Sequence, residues 1–338
     1  MSRTARAVLV ALLTALAIGL LAIIVLSAGK APVSLPLPNP NGYDDFLKAT
    51  TLLRGDVYSV SALDHDGLQA FVSTNGEALR LIRQGLARGC SVPTDSASTN
   101  ISQTLGDLAK LKPLARLLAE EGRLAEIEGR YAAAAQSYLE TIRFGNEMSR
   151  GGFIIIRLVG IACEAIGEVP LRTLVAKLKP EEAQAVIHEL EQIDRTSVTW
   201  DEVVRNEKRF ARLQPGHGFN PITWAVAQWQ TWRVRQRAEM RQNRLAAHLR
   251  LLTAELAVRS YQAERGVPPT DLAQLVPKYL QRIPSDPFSG RSMIYRRQGT
   301  QWLLYSVGED GVDDGGKPVA RPGAAAGAKG DIFYNSPY

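Results

Sequence analysis

From Ala7 to Gly29 the chain reads AVLVALLTALAIGLLAIIVLSAG without one charged residue, and a water-soluble fold has few places for such a run. At 1.5 Å per residue, about 20 apolar residues cross a bilayer core of roughly 30 Å. The apolar core of a secretory signal is shorter, about 7–15 residues, so the run reads as an uncleaved signal-anchor in preference to a cleaved leader. VLSA at its end does offer the small residues that cleavage needs. No cysteine follows, which removes a lipoprotein anchor. Arg3 and Arg6 precede the run and only Lys30 follows closely, a bias that keeps the N-terminus cytoplasmic. The expectation is a cytoplasmic stub and transmembrane helix over 1–29, a single pass of the inner membrane, with the bulk of the chain extracytoplasmic.

Pro32, Pro36, Pro38 and Pro40 then make 30–42 an extended spacer. Over 43–213 apolar residues recur three and four apart, which predicts a helical body. Pro180 suits a first helical turn, with Glu181 and Glu182 favouring its positive end. GGFIIIRLVGIACEAIGEVPL is apolar enough to invite a second span. Arg157 and Glu164 interrupt it, however, and make it a buried core helix instead. Overall 45% apolar and 22% charged residues exclude global disorder, and a charge of +6 is too mild to imply a nucleic-acid partner. Cys90 and Cys163 are too few for a disulfide framework; one bridge or two idle thiols are both compatible with the sequence.

Over 214–240 tryptophans (Trp224, Trp229, Trp232) give way to arginines. Arg233, Arg237, Arg241 and Arg244 fall on one helical face, which a lipid headgroup, a nucleic-acid backbone or plain solvent could face. Residues 241–338 change character again. Leu245, Leu249, Leu252 and Leu256 form a helical stripe that Gly266 is placed to end. RSMIYRR and QWLLYSV flank RRQGTQ, a hairpin signal. After them comes the acidic, glycine-rich VGEDGVDDGG.

LAEEGRLAEIEGRYAAAAQSYLETI in the body, with Leu118, Gly122, Gly129, Tyr131, Ala134 and Tyr138, resembles one tetratricopeptide repeat. The resemblance implies a helical hairpin, its glycine admitting close approach and its tyrosines filling the groove. The helix ending YQAERGVPPT, the YLQRIPSDPFSG segment, the aromatic strand before SVGEDG and a final GDI resemble the headpiece of the major pseudopilin of type II secretion. That resemblance implies a small α+β domain with an antiparallel sheet and a calcium ion in its last loop. Asp310 and Asp331 match the family's carboxylate ligands, and Val307 would offer a carbonyl. Asp313 and Asp314 are nearby candidates. Glycine-rich acidic loops suit calcium on chemical grounds as well, since it takes six to eight oxygens. An EF-hand does not fit, because Val312 and Arg321 would fall on ligand positions. Departures from the family are the insertion KPVARPGAAAGAK, the missing processed N-terminal motif and the long body ahead of the module, so a filament subunit is not expected.

No GxSxG, HExxH, GxxxxGK[ST] or CxxC motif occurs. His65 between Asp64 and Asp66 is the most site-like histidine, and a solvated turn or cap explains it. The expectation is a mainly α scaffold or interaction protein of the cell envelope, with a protein partner there and no catalytic residues. The alternative is an extracytoplasmic hydrolase of envelope polymers using an acidic pair in the helical body.

Overall fold

A computed structural model describes residues 36–94, 101–213, 221–319 and 328–336; side chains of 101–103 and 211–231 are left aside. The expected anchor over 1–29, the start of the spacer and most of the loop insertion lie outside the described residues. Among the described residues no helix is long and apolar enough to cross a membrane.

The body is helical, as its periodicity predicts: α1 (Gly42–Leu52), α2 (His65–Thr74), α3 (Gly76–Leu86), α4 (Ile101–Ile127), α5 (Tyr131–Glu147), α6 (Ile154–Leu174), α7 (Pro180–Thr196) and α8 (Trp200–Leu213). Pro180 does open α7, and Glu182 accepts the Lys179 N–H at 2.8 Å. Asp64 caps α2 through Gly67 N–H at 2.9 Å, while His65 stays exposed beside Asp66 and Glu128.

Helices α4 and α5 form an antiparallel hairpin turned at Gly129, whose φ of +73° is the left-handed conformation glycine adopts freely. Tyr138 is buried against Gly122, where an added Cβ would lie 2.5 Å from the ring; Tyr131 is only half-buried. The α5–α6 contact is closer still. A Cβ on Gly160 would sit 2.5 Å from the Gly145 carbonyl oxygen, and one on Gly167 2.4 Å from that of Tyr138. Small residues thus bring two backbones together, and α6 buries two charges beside the crossing. Arg157 pairs with Glu164, both almost fully buried, and also donates to Ser149 Oγ at 3.1 Å and Gln242 Oε1 at 3.0 Å. Burial pushes the Glu164 carboxyl up and the Arg157 charge pulls it back. The α6 segment is therefore a core helix. Cys90 and Cys163 are separate buried thiols, each pushed up to about 12 by burial.

One helix, α9 (Pro221–Arg265), carries both the tryptophan/arginine segment and the leucine stripe, and ends at Gly266 with φ +76°. The stripe residues are buried. After a 3-10 turn at Leu272–Leu275 come β1 (Ile294–Gln298) and β2 (Gln301–Tyr305), antiparallel with Ile294 opposite Tyr305 and a turn at Gly299–Thr300. The molecule is mainly helical with this small two-stranded sheet near its C-terminus. Its largest apolar cluster joins Tyr138 and Ile142 of the body, Ile187 and Leu190 of α7, Leu252 and Leu256 of α9, and Leu280, Leu304 and Ile332 of the C-terminal region. Body and C-terminal region share one core.

Candidate functional site: the acidic loop

Strand β2 delivers the chain to the loop through Ser306, which exchanges two backbone hydrogen bonds of 2.9 Å with Ile332. The returning segment 330–332 is thereby fixed against the loop's entrance. Gly308 makes this possible: its φ is +74°, and a Cβ there would lie 2.3 Å from the Gly330 carbonyl oxygen.

Asp331 is wholly buried and gathers the far end of the loop. Its carboxylate accepts from the N–H groups of Gly316 at 2.7 Å, Lys317 at 3.2 Å and Asp314 at 3.3 Å. Burial nevertheless raises its carboxyl above the ordinary range, and the nearby Asp313 and Asp314 charges add to that. Asp313 faces the opposite balance. It accepts from Gly315 N–H at 2.8 Å, Tyr305 O–H at 2.9 Å and the Arg296 guanidinium at 2.8 Å, and the Gly315 bond leads in lowering its carboxyl. Among the described residues, Asp314 has one carboxylate oxygen, Oδ2, that is out of reach of water and without a hydrogen-bond partner. Among the described residues Asp310 accepts only the local Val312 N–H at 3.1 Å, and Val307 gives its N–H to Asp286 at 2.9 Å.

Of the five residues selected from the sequence, Asp314 and Asp331 are hydrogen-bonded neighbours, while the Asp313 carboxylate is held by Gly315, Tyr305 and Arg296. Asp310 turns to another surface. Asp286, which sequence reasoning did not single out, holds the loop's entrance: buried, it accepts from Ser306 Oγ at 3.0 Å and from the N–H groups of Val307 and Phe288. It sits inside IPSDPFSG, where the signal was an aspartate between a serine and a proline, a common turn pattern that says nothing of a contact twenty residues on.

A carboxylate offers about four lone-pair positions. Asp331 has three filled by N–H groups and the orphaned Asp314 oxygen lies nearby, so the donors are hard, anionic and incompletely satisfied. These two carboxylates with loop carbonyls fit a hard cation. Among the described residues, no three His, Cys, Asp or Glu side chains form a group able to hold a metal ion.

Three acidic residues of the body are engaged in ion pairs. Glu121 and Glu140 both pair with Arg83, and Glu164 with Arg157. The arginine face of α9 is divided: Arg237 and Arg241 are exposed, while Arg244 forms a largely buried pair with Glu309 at 2.7 Å and ties the loop to the helix. Comparison with protein families, with curated proteins and with solved structures finds no match to this chain.

Proposed function

We propose that the chain is a membrane-anchored, extracytoplasmic scaffold or interaction protein whose pseudopilin-like C-terminal region is stabilised by calcium. The observation that carries the calcium reading is Asp314 Oδ2, a buried carboxylate oxygen without a partner, next to a buried Asp331 whose ionised form is disfavoured. Orphaned buried acceptors are rare because each costs about 1–3 kcal/mol, and a cation would satisfy this one. Asp314 and Asp331 would hold the ion, with backbone carbonyls completing its shell. Bound calcium would neutralise the cluster and fix segment 330–332 to the loop. The anchor rests on the uncharged run after Arg6, and the role in secretion or envelope assembly on the resemblance to pseudopilins.

Thermal unfolding of the full chain in calcium, magnesium and chelator tests the ion. If calcium binds only the folded state, free ion at about 100 times Kd adds roughly 2.7 kcal/mol. Magnesium should substitute poorly, since it demands a rigid octahedron and keeps its waters. Asp314→Asn should abolish the calcium shift and leave the chelated protein nearly unchanged. Identical melting in calcium and chelator up to millimolar ion would reduce the loop to a solvated turn.

A further inference from the structure

A second feature of α9 lies one stripe away from its arginines. Trp232, Arg235, Gln236, Glu239 and Asn243 are three and four residues apart and line one wall of a cleft of about 540 Å³. Trp200, at the start of α8, lines the same cleft and is partly packed against the cluster of Ile154, Val198 and Val203. The volume falls within the roughly 300–1,000 Å³ of small-molecule sites.

The lining is unusual in two respects. First, Trp232 is 57% exposed, a large indole left on a rim. Second, among the described residues the planar polar groups of the α9 lining are not consumed by the fold. Arg235 Nε is buried without an acceptor, an arrangement that costs stability unless something arrives to accept from it. Among the described residues Glu239 forms no ion pair; desolvation, aided by the Asp201 charge, raises its carboxyl.

Charge narrows the ligand. An anion would meet the carboxylates of Glu239 and Asp310, and a cation would meet the Arg235 guanidinium; the third acid of the lining, Glu309, is already paired with Arg244. Neither is well served. A neutral molecule with alternating donors and acceptors is. Gln236 and Asn243 each present both, Arg235 donates and Glu239 accepts, while the indoles offer flat apolar faces to C–H groups. Sugars combine an apolar ring face with a rim of hydroxyls that both donate and accept. We propose that this cleft binds a neutral oligosaccharide, stacked on Trp232 and Trp200 and hydrogen-bonded by Arg235, Gln236, Glu239 and Asn243. None of these six residues belongs to the calcium reading, so the two stand or fall separately.

Calorimetric titration of the full chain with cellotetraose and chitotetraose tests it, with tetramethylammonium and inorganic phosphate as cationic and anionic probes. Saturable binding of at least one oligosaccharide, weakened about tenfold or more by Trp232→Ala and by Arg235→Ala, is the expected result. Arg237→Ala, on the exposed side of the same helix, should bind as the parent does. Because Trp232 is exposed, its truncation leaves the core untouched, and an unchanged melting temperature will verify that. The proposal is overturned if neither sugar binds up to about 10 mM, a limit near 3 kcal/mol of affinity. It is equally overturned if Trp232→Ala binds as tightly as the parent, or if only tetramethylammonium or phosphate binds.

Discussion

The α5–α6 crossing and the acidic loop both press backbone against backbone, and they do it by opposite means. At the crossing, Gly145, Gly160 and Gly167 withdraw side chains so that carbonyl oxygens fill the space. In the loop, Asp331 draws three N–H groups inward onto a carboxylate. The first contact is governed by volume and is indifferent to ions. The second is governed by charge, and anything that changes the charge on Asp331 or its neighbours changes the contact. One chain therefore carries a joint set by volume and a joint set by charge.

The largest expected effect probes the charge buried beside the joint set by volume. Arg157→Met leaves Glu164 buried without its counter-ion and should cost about 3–5 kcal/mol in chemical unfolding. Adding Glu164→Leu should recover most of that, because replacing a whole buried pair by apolar groups is often neutral. No recovery in the double variant would mean that the pair, not the glycines, sets the geometry of α5 and α6.

Gly160→Ala comes next. Its Cβ would fall 2.5 Å from the Gly145 oxygen and 2.6 Å from Ser149 Oγ, so the helices must part, at about 1–3 kcal/mol. The loss should be the same in calcium and in chelator. A loss that depended on the ion would erase the contrast between the two joints.

The smallest effect belongs to the loop. Because the folded protein holds the Asp331 proton more tightly than the unfolded chain, this group's contribution is fully present below the ordinary carboxylate value of 3.8. It is lost as pH rises through the raised folded value. In chelator, the stability of the parent relative to Asp331→Asn should therefore increase on acidification through that window and narrow toward neutrality. In saturating calcium the trend should weaken or invert, since the ion competes with the proton. A pH-independent difference in chelator would show that Asp331 acts through its hydrogen bonds alone.

What could be read from the sequence was whatever a local period records. The Leu245–Leu256 stripe, the Gly266 stop, the hairpin turn after Gln298 and the cap at Asp64 all rest on neighbours within a few residues. The close approach at Gly122 was visible because glycine and tyrosine stand at a recognisable spacing. Asp286 was hidden because Ser306 and Val307, which it holds, lie some twenty residues on, just after β2. The cleft was hidden for another reason: the arginines at 233, 237, 241 and 244 dominate the pattern of α9, and the adjacent stripe of mixed polarity has no periodic signature of its own. Nor could any local pattern show that the leucine stripe shares one cluster with α7 as well as with the C-terminal region.

That shared core bears on how the chain becomes folded during synthesis. Helices α4 to α7 emerge well before α9, as chains are made from the N-terminus and tend to fold in that order. Ile187 and Leu190, which end in one apolar cluster with Leu252 and Leu256, lack that cover until residues beyond 250 have been made. A nascent chain stopped at α8 displays an oily flank in the meantime. It will hold together poorly or recruit a chaperone, and the C-terminal region is in effect the lid that ends this vulnerable interval.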